Sequence, residues 1–183
     1  MNTIPNFKEF EKNIADVIKE EQIKLGYRKE NIRLYYPRES INHLLQGDYS
    51  EQELREILDQ FADYVKERLG KLTHSHKESR YCIFIPEEGV EYVHDKIADS
   101  PFLEEFINRI NQHPCSLEDI LGVFHRHSGD VICEKTQHGE FDYLIYFKEQ
   151  LPDSYLYCLK FEHGHAIYHR FTKSDYDSFG FEE

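Results

Sequence analysis

Histidine is the residue type whose number and spacing most suggest chemistry in this chain. Six of its 11 histidines form pairs separated by one residue: His74 and His76, His125 and His127, and His163 and His165. Residues i and i+2 of a strand point to the same side, so such a pair can present two imidazoles to one metal ion. The candidate ligands for zinc or another divalent metal are His163, His165 and His169, the last two sharing a predicted strand face.

Two features favour the alternative, in which these histidines lie on turns, on the surface and on a sheet face. His163-Gly164-His165 is a predicted tight turn, where neighbouring side chains diverge. The chain also lacks the His-Glu-x-x-His and Cys–His spacings that are typical of zinc sites. On this alternative the sequence predicts no cofactor.

The segment from His125 to Asp130 has the richest chemistry of any six residues. Its two imidazoles, an arginine, a hydroxyl and a carboxylate make His125, His127 and Asp130 candidate catalytic residues of a hydrolase, with or without a metal. However, residues i and i+2 of a helix do not share a face, and the chain has no Gly-x-Ser-x-Gly nucleophile motif. The alternative interpretation is a helix end that leads into a turn.

A second candidate site is basic. Between Lys24 and Arg38 the chain has five cations and a single carboxylate, with three tyrosines among them. Arginine planes and tyrosine rings together can hold a phosphate-bearing or acidic ligand, which makes Arg28, Arg33 and Tyr35 candidate ligand-binding residues. The alternative is a set of salt bridges to the surrounding acidic surface.

The composition limits the classes of partner. The formal net charge is −13, which disfavours nucleic-acid binding across the whole surface and is compatible with a protein partner. No apolar run approaches the roughly 20 residues of a membrane helix, and no secretory signal precedes Phe7. The four cysteines form no Cys-x-x-Cys pair. We therefore expect a cytoplasmic protein without a membrane partner, and its oligomeric state stays open.

Hydrophobic periodicity predicts helices first and strands later. The clearest helix covers residues 51–69, where Ser50 and Glu53 form a capping box. Residues 72–85 read as a hairpin, and after Gly129 the period changes to that of strands joined by short turns. The predicted fold class is α+β: N-terminal and central helices packed on an antiparallel sheet, with a C-terminal four-strand meander and a hairpin near 72–85. We interpret residues 1–183 as a single domain, with 1–70 as a helical subdomain within it.

Three stretches carry a family resemblance. Residues 18–30, Ile32 to Pro37, and the ending Tyr168-His-Arg-Phe-Thr-Lys-Ser-Asp-Tyr-Asp resemble an uncharacterised bacterial family that is catalogued as a domain of unknown function. The resemblance implies a small cytoplasmic protein from anaerobic Gram-positive bacteria. It implies no activity and no catalytic residues.

These observations favour a non-enzymatic binding or protein-interaction domain over an enzyme. Several tyrosines lie on the predicted meander, and an exposed tyrosine-rich sheet face would suit an interface. The alternative function is a hydrolase whose site gathers His125, His127 and Asp130.

Overall fold

The computed structural model describes residues 4–136 and 139–178. These residues form seven helices and two antiparallel sheets, of three and four strands, which confirms the α+β class, the hairpin and the C-terminal meander. The chain divides into two compact units, with the boundary between Ala98 and Asp99. The single domain and the helical subdomain over 1–70 stay predictions.

The first unit alternates helices with the strands of the smaller sheet. Ser50 and Glu53 form the capping box that the sequence predicts, and the helix they open ends at Gly70. The elements of this unit are α1 (Phe7–Leu25), β1 (Ile32–Pro37), α2 (Arg38–Leu45), α3 (Glu51–Leu69), β2 (Thr73–Lys77), β3 (Arg80–Ile85) and α4 (Glu87–Lys96).

The three-stranded sheet has the order β1-β3-β2, so β1 pairs with the far strand of the predicted hairpin. Ile32 lies opposite Ile85, and Tyr36 lies opposite Tyr81. Because side chains alternate along a strand, one side of this sheet packs into the core of the unit, with Ile83 and Ile85 buried. The other side of the sheet faces solvent.

The second unit places two helices before the four-strand meander β4-β5-β6-β7. Ser116 and Asp119 form a second capping box, at the start of α6. The elements are α5 (Pro101–Ile110), α6 (Leu117–His127), β4 (Val131–Lys135), β5 (Tyr143–Phe147), β6 (Leu156–Glu162), β7 (His165–Phe171) and α7 (Lys173–Ser178).

The meander does not expose a tyrosine-rich face, so that expectation is wrong. Tyr157 is fully buried, and its ring packs edge-on against Phe102 and Phe106 of α5. Tyr168 also packs against Phe106, with ring centroids 4.8 Å apart. The aromatic rings of these strands fill the space beneath α5 and α6, and burying rings of this size removes a large apolar area from water.

The longest described helices, α1 and α3, have 19 residues each. Charged residues line one side of both. No helix within the described ranges is both long and apolar enough to span a lipid bilayer.

Candidate functional site

The solvent-facing side of the three-stranded sheet is the candidate site, and we call it the open face. Its members come from all three strands and include both aromatic and basic side chains. They are Arg33 and Tyr35 of β1, Thr73, Ser75 and Lys77 of β2, and Arg80, Cys82 and Phe84 of β3.

Strand alternation places these side chains outward. In β1, Leu34 and Tyr36 turn toward the core, whereas Arg33 and Tyr35 are exposed, Tyr35 to 63%. In β3 the pattern is repeated, because Tyr81 and the isoleucines point inward. No helix of the first unit needs the open face for its own packing, since the helices bury their apolar stripes on the opposite side.

The register brings the outward side chains into rows. Arg33 lies opposite Phe84, and its guanidinium carbon is 5.9 Å from the centre of that ring. Tyr35 lies opposite Cys82, and Lys77 lies opposite Arg80. These rows border a shallow depression of about 740 Å³ that also includes the hairpin turn. The depression is large enough for several residues of a bound chain.

The open face is basic although the chain as a whole is acidic. It holds three cations, and the one carboxylate that borders the depression is that of Glu78 in the hairpin turn. Within the described ranges no carboxylate lies at ion-pair distance from Arg33, Lys77 or Arg80. By contrast, Lys24 and Lys29 pair with Glu20 and Glu91, so the salt-bridge alternative holds for that part of the basic segment.

A smaller groove lies between α1 and β1, and we call it the side groove. Its volume is about 200 Å³, and its walls include Val17, Ile18 and Leu34. Arg28 and Arg33 both border it. The three candidates of the basic segment are therefore divided between two adjoining surfaces: Arg33 and Tyr35 lie on the open face, Arg28 lies at the side groove, and Arg33 belongs to both.

The structure does not bring His163, His165 and His169 together as one coordination site. His163 occupies the turn before β7 with a φ of 52°, whereas the other two lie four residues apart on that strand, about 13 Å at the usual rise. The ring of His165 stacks on His113 with centroids 4.2 Å apart, and the ring of His169 lies 4.1 Å from that of Phe171. Over the described ranges, no three His, Cys, Asp or Glu side chains are placed to hold a metal.

The catalytic candidates of the second unit also diverge. His127 forms a hydrogen bond of 2.7 Å with Glu105, a residue of α5 that the sequence did not single out. Arg126 donates to the other oxygen of the same carboxylate. His125, two residues before His127 on α6, is exposed, and Asp130 lies beyond the helix end, where its backbone N–H donates to the hydroxyl of Ser128.

The contact between α5 and α6 explains why the carboxyl of Glu105 has a lowered pKa. The hydrogen bond with His127 and the neighbouring Arg126 hold the pKa of the Glu105 carboxyl below its ordinary value. This carboxylate thus joins two helices through two cation-capable partners. The arrangement is that of a structural ion pair and leaves no nucleophile or second carboxylate beside His127 among its described contacts.

Several residues of the open face were not singled out in the sequence. Lys77, Arg80 and Phe84 join Arg33 and Tyr35 on this face because β3 pairs with β1 as well as with its hairpin partner β2, and the pairing with β1 is not encoded in the local sequence. One signal was available: in Ile32–Tyr35, Ile32 and Leu34 alternate with Arg33 and Tyr35. A strand that alternates in this way is typical of a sheet with one buried and one exposed face.

Comparison with known proteins places the chain in a family. No curated protein and no solved structure matches it. Residues 7–180, nearly the whole chain, match the family described as "Domain of unknown function, E. rectale Gene description" (DUF3877), which confirms the resemblance seen in the sequence. The chain therefore belongs to the DUF3877 family of proteins of unknown function.

Proposed function

We propose that this protein is a non-enzymatic binding module whose open face takes an acidic segment of a protein partner. The observation that carries the proposal is the set of three cations around exposed Tyr35, on a sheet face that no element among the described residues of its own unit covers. Such a face offers charge-assisted hydrogen bonds to carboxylates and a ring for packing.

The charges of the face favour a ligand with carboxylates. Arg33, Lys77 and Arg80 are exposed and have no carboxylate at ion-pair distance in the described chain. Desolvating these cations on binding is therefore offset by new ion pairs rather than by exchange for existing ones. Three cations within a chain of net charge −13 match a short acidic segment.

A single-stranded nucleic acid is the competing ligand for a basic and aromatic sheet face. Each nucleotide adds a negative charge, and the acidic remainder of this chain repels a polyphosphate more strongly than a few carboxylates. The charge balance therefore favours an acidic peptide.

An NMR titration of the ¹⁵N-labelled full chain tests the proposal. The probe is acetylated hexaglutamate amide at low ionic strength, and we expect chemical-shift changes concentrated at Arg33, Tyr35 and Arg80. The variant Arg33→Glu/Arg80→Glu should lose this binding at least tenfold, because two attractive contacts become repulsive. The charge-matched variant Lys8→Glu/Lys66→Glu, with both changes at exposed helix positions, should retain it.

Oligo-dT of six nucleotides serves as the second probe in the same titration. Tighter binding of oligo-dT than of hexaglutamate, lost in the Arg33→Glu/Arg80→Glu variant, would replace the acidic-peptide proposal with a nucleic-acid one. Shift changes of equal size over both units, or no saturable change with either probe, would contradict the proposal altogether.

A further inference from the structure

We propose that the partner segment binds as an extended strand along the outer edge of β1, with acidic and apolar residues in alternation. This inference rests on the proposed function of the open face and specifies its ligand. It follows from three observations: the edge position of β1, the two different surfaces on either side of that strand, and the size of the side groove.

The first observation is that β1 is an edge strand. In the described residues it pairs with β3 and with no other strand. An edge strand directs half of its backbone N–H and C=O groups away from its sheet, where an extended peptide can bond to them. The main chain of a peptide then supplies affinity that does not depend on its side chains.

The second observation is that β1 lies between two surfaces, the basic open face and the side groove, whose walls are apolar and whose rim also carries Arg28, Glu21 and Glu30. Arg33 and Tyr35 lie on the open face, whereas Ile32 and Leu34 line the side groove. A strand added beside β1 continues the same alternation, because paired residues of neighbouring strands point to the same side. Every second residue of the ligand therefore lies beside Arg33 and the basic face, and the residues between them lie over the side groove, against the apolar walls that Val17, Ile18 and Leu34 form.

The third observation is the volume of the groove. At about 200 Å³ it is smaller than the sites that hold drug-sized molecules, which start near 300 Å³. It has room for one side chain of the size of leucine, walled by Val17, Ile18 and Leu34. Leu25, which is 62% exposed at its rim, gains cover when the groove is filled.

The experiment compares peptides of one composition by NMR titration of the full chain at pH 7.5. Acetyl-Glu-Leu-Glu-Leu-Glu-Leu amide should bind about tenfold more tightly than acetyl-Glu-Glu-Glu-Leu-Leu-Leu amide, because only the alternating order fills the groove while pairing its carboxylates. Equal affinity of the two peptides would overturn the inference.

Backbone methylation tests strand addition directly. All Glu amides of the alternating peptide point to one edge and all Leu amides to the other, so N-methylation of one set should abolish binding and methylation of the other should leave it within threefold. Equal effects of both methylations would overturn the inference.

A groove variant separates this inference from the proposed function. Leu25→Ser should weaken the binding of the alternating peptide about threefold and leave the binding of hexaglutamate unchanged. The control is Leu151→Ser in the second unit, where the side chain is 71% exposed, and it should change the binding of neither peptide. If hexaglutamate binds and alternation brings no gain, the strand-addition inference fails and the proposed function stands. If hexaglutamate does not bind at all, the proposed function fails.

Discussion

Asp153 accepts a hydrogen bond of 2.9 Å from the hydroxyl of Tyr157 and another from the backbone N–H of Tyr155. The guanidinium of Arg170 is 3.8 Å from the same carboxylate. Both charged side chains are almost fully buried, with 8% of Asp153 and 4% of Arg170 exposed. Burial and the nearby Asp153 raise the pKa of Tyr157 well above its ordinary value, so its hydroxyl stays a donor. The local sequence Pro152-Asp153 predicts only a turn, because the arginine that completes this cluster comes from the next hairpin.

Removing one charge of this buried pair should be costly. We expect Asp153→Asn to lower the free energy of unfolding by about 3 kcal/mol, because it removes a negative charge beside the buried Arg170 guanidinium. Urea denaturation, monitored by tyrosine fluorescence, measures the free energy of unfolding. The control is Asp177→Asn, whose exposed pair with Lys173 should contribute less than about 0.5 kcal/mol. Equal effects of the two substitutions would show that the Asp153 cluster is not an ion pair in solution.

Glu105 should make the stability of the second unit depend on acidity. Its pKa is lowered in the folded state, so its contribution is present above the ordinary glutamate pKa of about 4.3 and is lost as the pH falls through the lowered value. We expect Glu105→Gln to lower the free energy of unfolding at pH 7, measured by urea denaturation, by less than about 1 kcal/mol, since the side chain is partly exposed. The difference from the wild type should vanish toward pH 2.

The control for this experiment is Glu104→Gln, one residue earlier and exposed on α5. A pH-independent difference between the wild type and Glu105→Gln would mean that the carboxylate acts through packing and not through its charge.

At the scale of elements, local signals predicted helices and strands well, and long-range pairing was missed. The helix α3 was predicted because Ser50, Glu53 and Gly70 mark its ends within the chain itself. The pairing of β1 with β3 depends on residues far apart in sequence, and no local pattern encodes it. The short helix α7 was not predicted either, although the hydroxyl of Thr172 accepts from the N–H of Asp175 at its start.

Close packing between helices decides whether replacing a glycine by alanine raises or lowers the stability of the protein. A Cβ at Gly89 of α4 would lie 2.3 Å from the carbonyl oxygen of Leu69, the last residue of α3, whereas a Cβ at Gly122 of α6 would meet nothing closer than 3.5 Å. Helix propensity alone favours alanine at both positions by about 1 kcal/mol. We therefore expect Gly122→Ala to raise the melting temperature and Gly89→Ala to lower it, because α3 and α4 must move apart.

Thermal denaturation of both variants measures these two changes in melting temperature. A stabilising effect of Gly89→Ala would mean that the close approach of α3 and α4 does not persist in solution.

At the scale of the whole molecule, each unit buries its own core. One cluster of buried residues runs from Phe10 to Val93, all within the first unit, and another around Leu156 and Phe171 lies within the second. Composition could predict a globular chain of this size, but it could not reveal a division near Ala98, because no glycine- or proline-rich linker marks it.

If the two cores are energetically independent, damage to one should not reach the other. We expect hydrogen-exchange mass spectrometry of Gly89→Ala to show faster exchange in peptides from residues 4–98, and that of Asp153→Asn to show it in peptides from residues 99–178. Faster exchange throughout the chain in both variants would instead support the single cooperative domain that the sequence predicts.

The outer edge of β1 also bears on the self-association of this protein. Ile32–Pro37 is rich in β-forming residues, and an exposed edge of this kind can pair with the same strand of a second molecule, which is a first step toward aggregation. A register that sets the two Arg33 side chains opposite each other places like charges side by side, which disfavours it, and Pro37 lacks the N–H that would extend the ladder. Arg33, which we propose as a contact to an acidic partner, would thus also disfavour pairing of two copies of the chain through this edge.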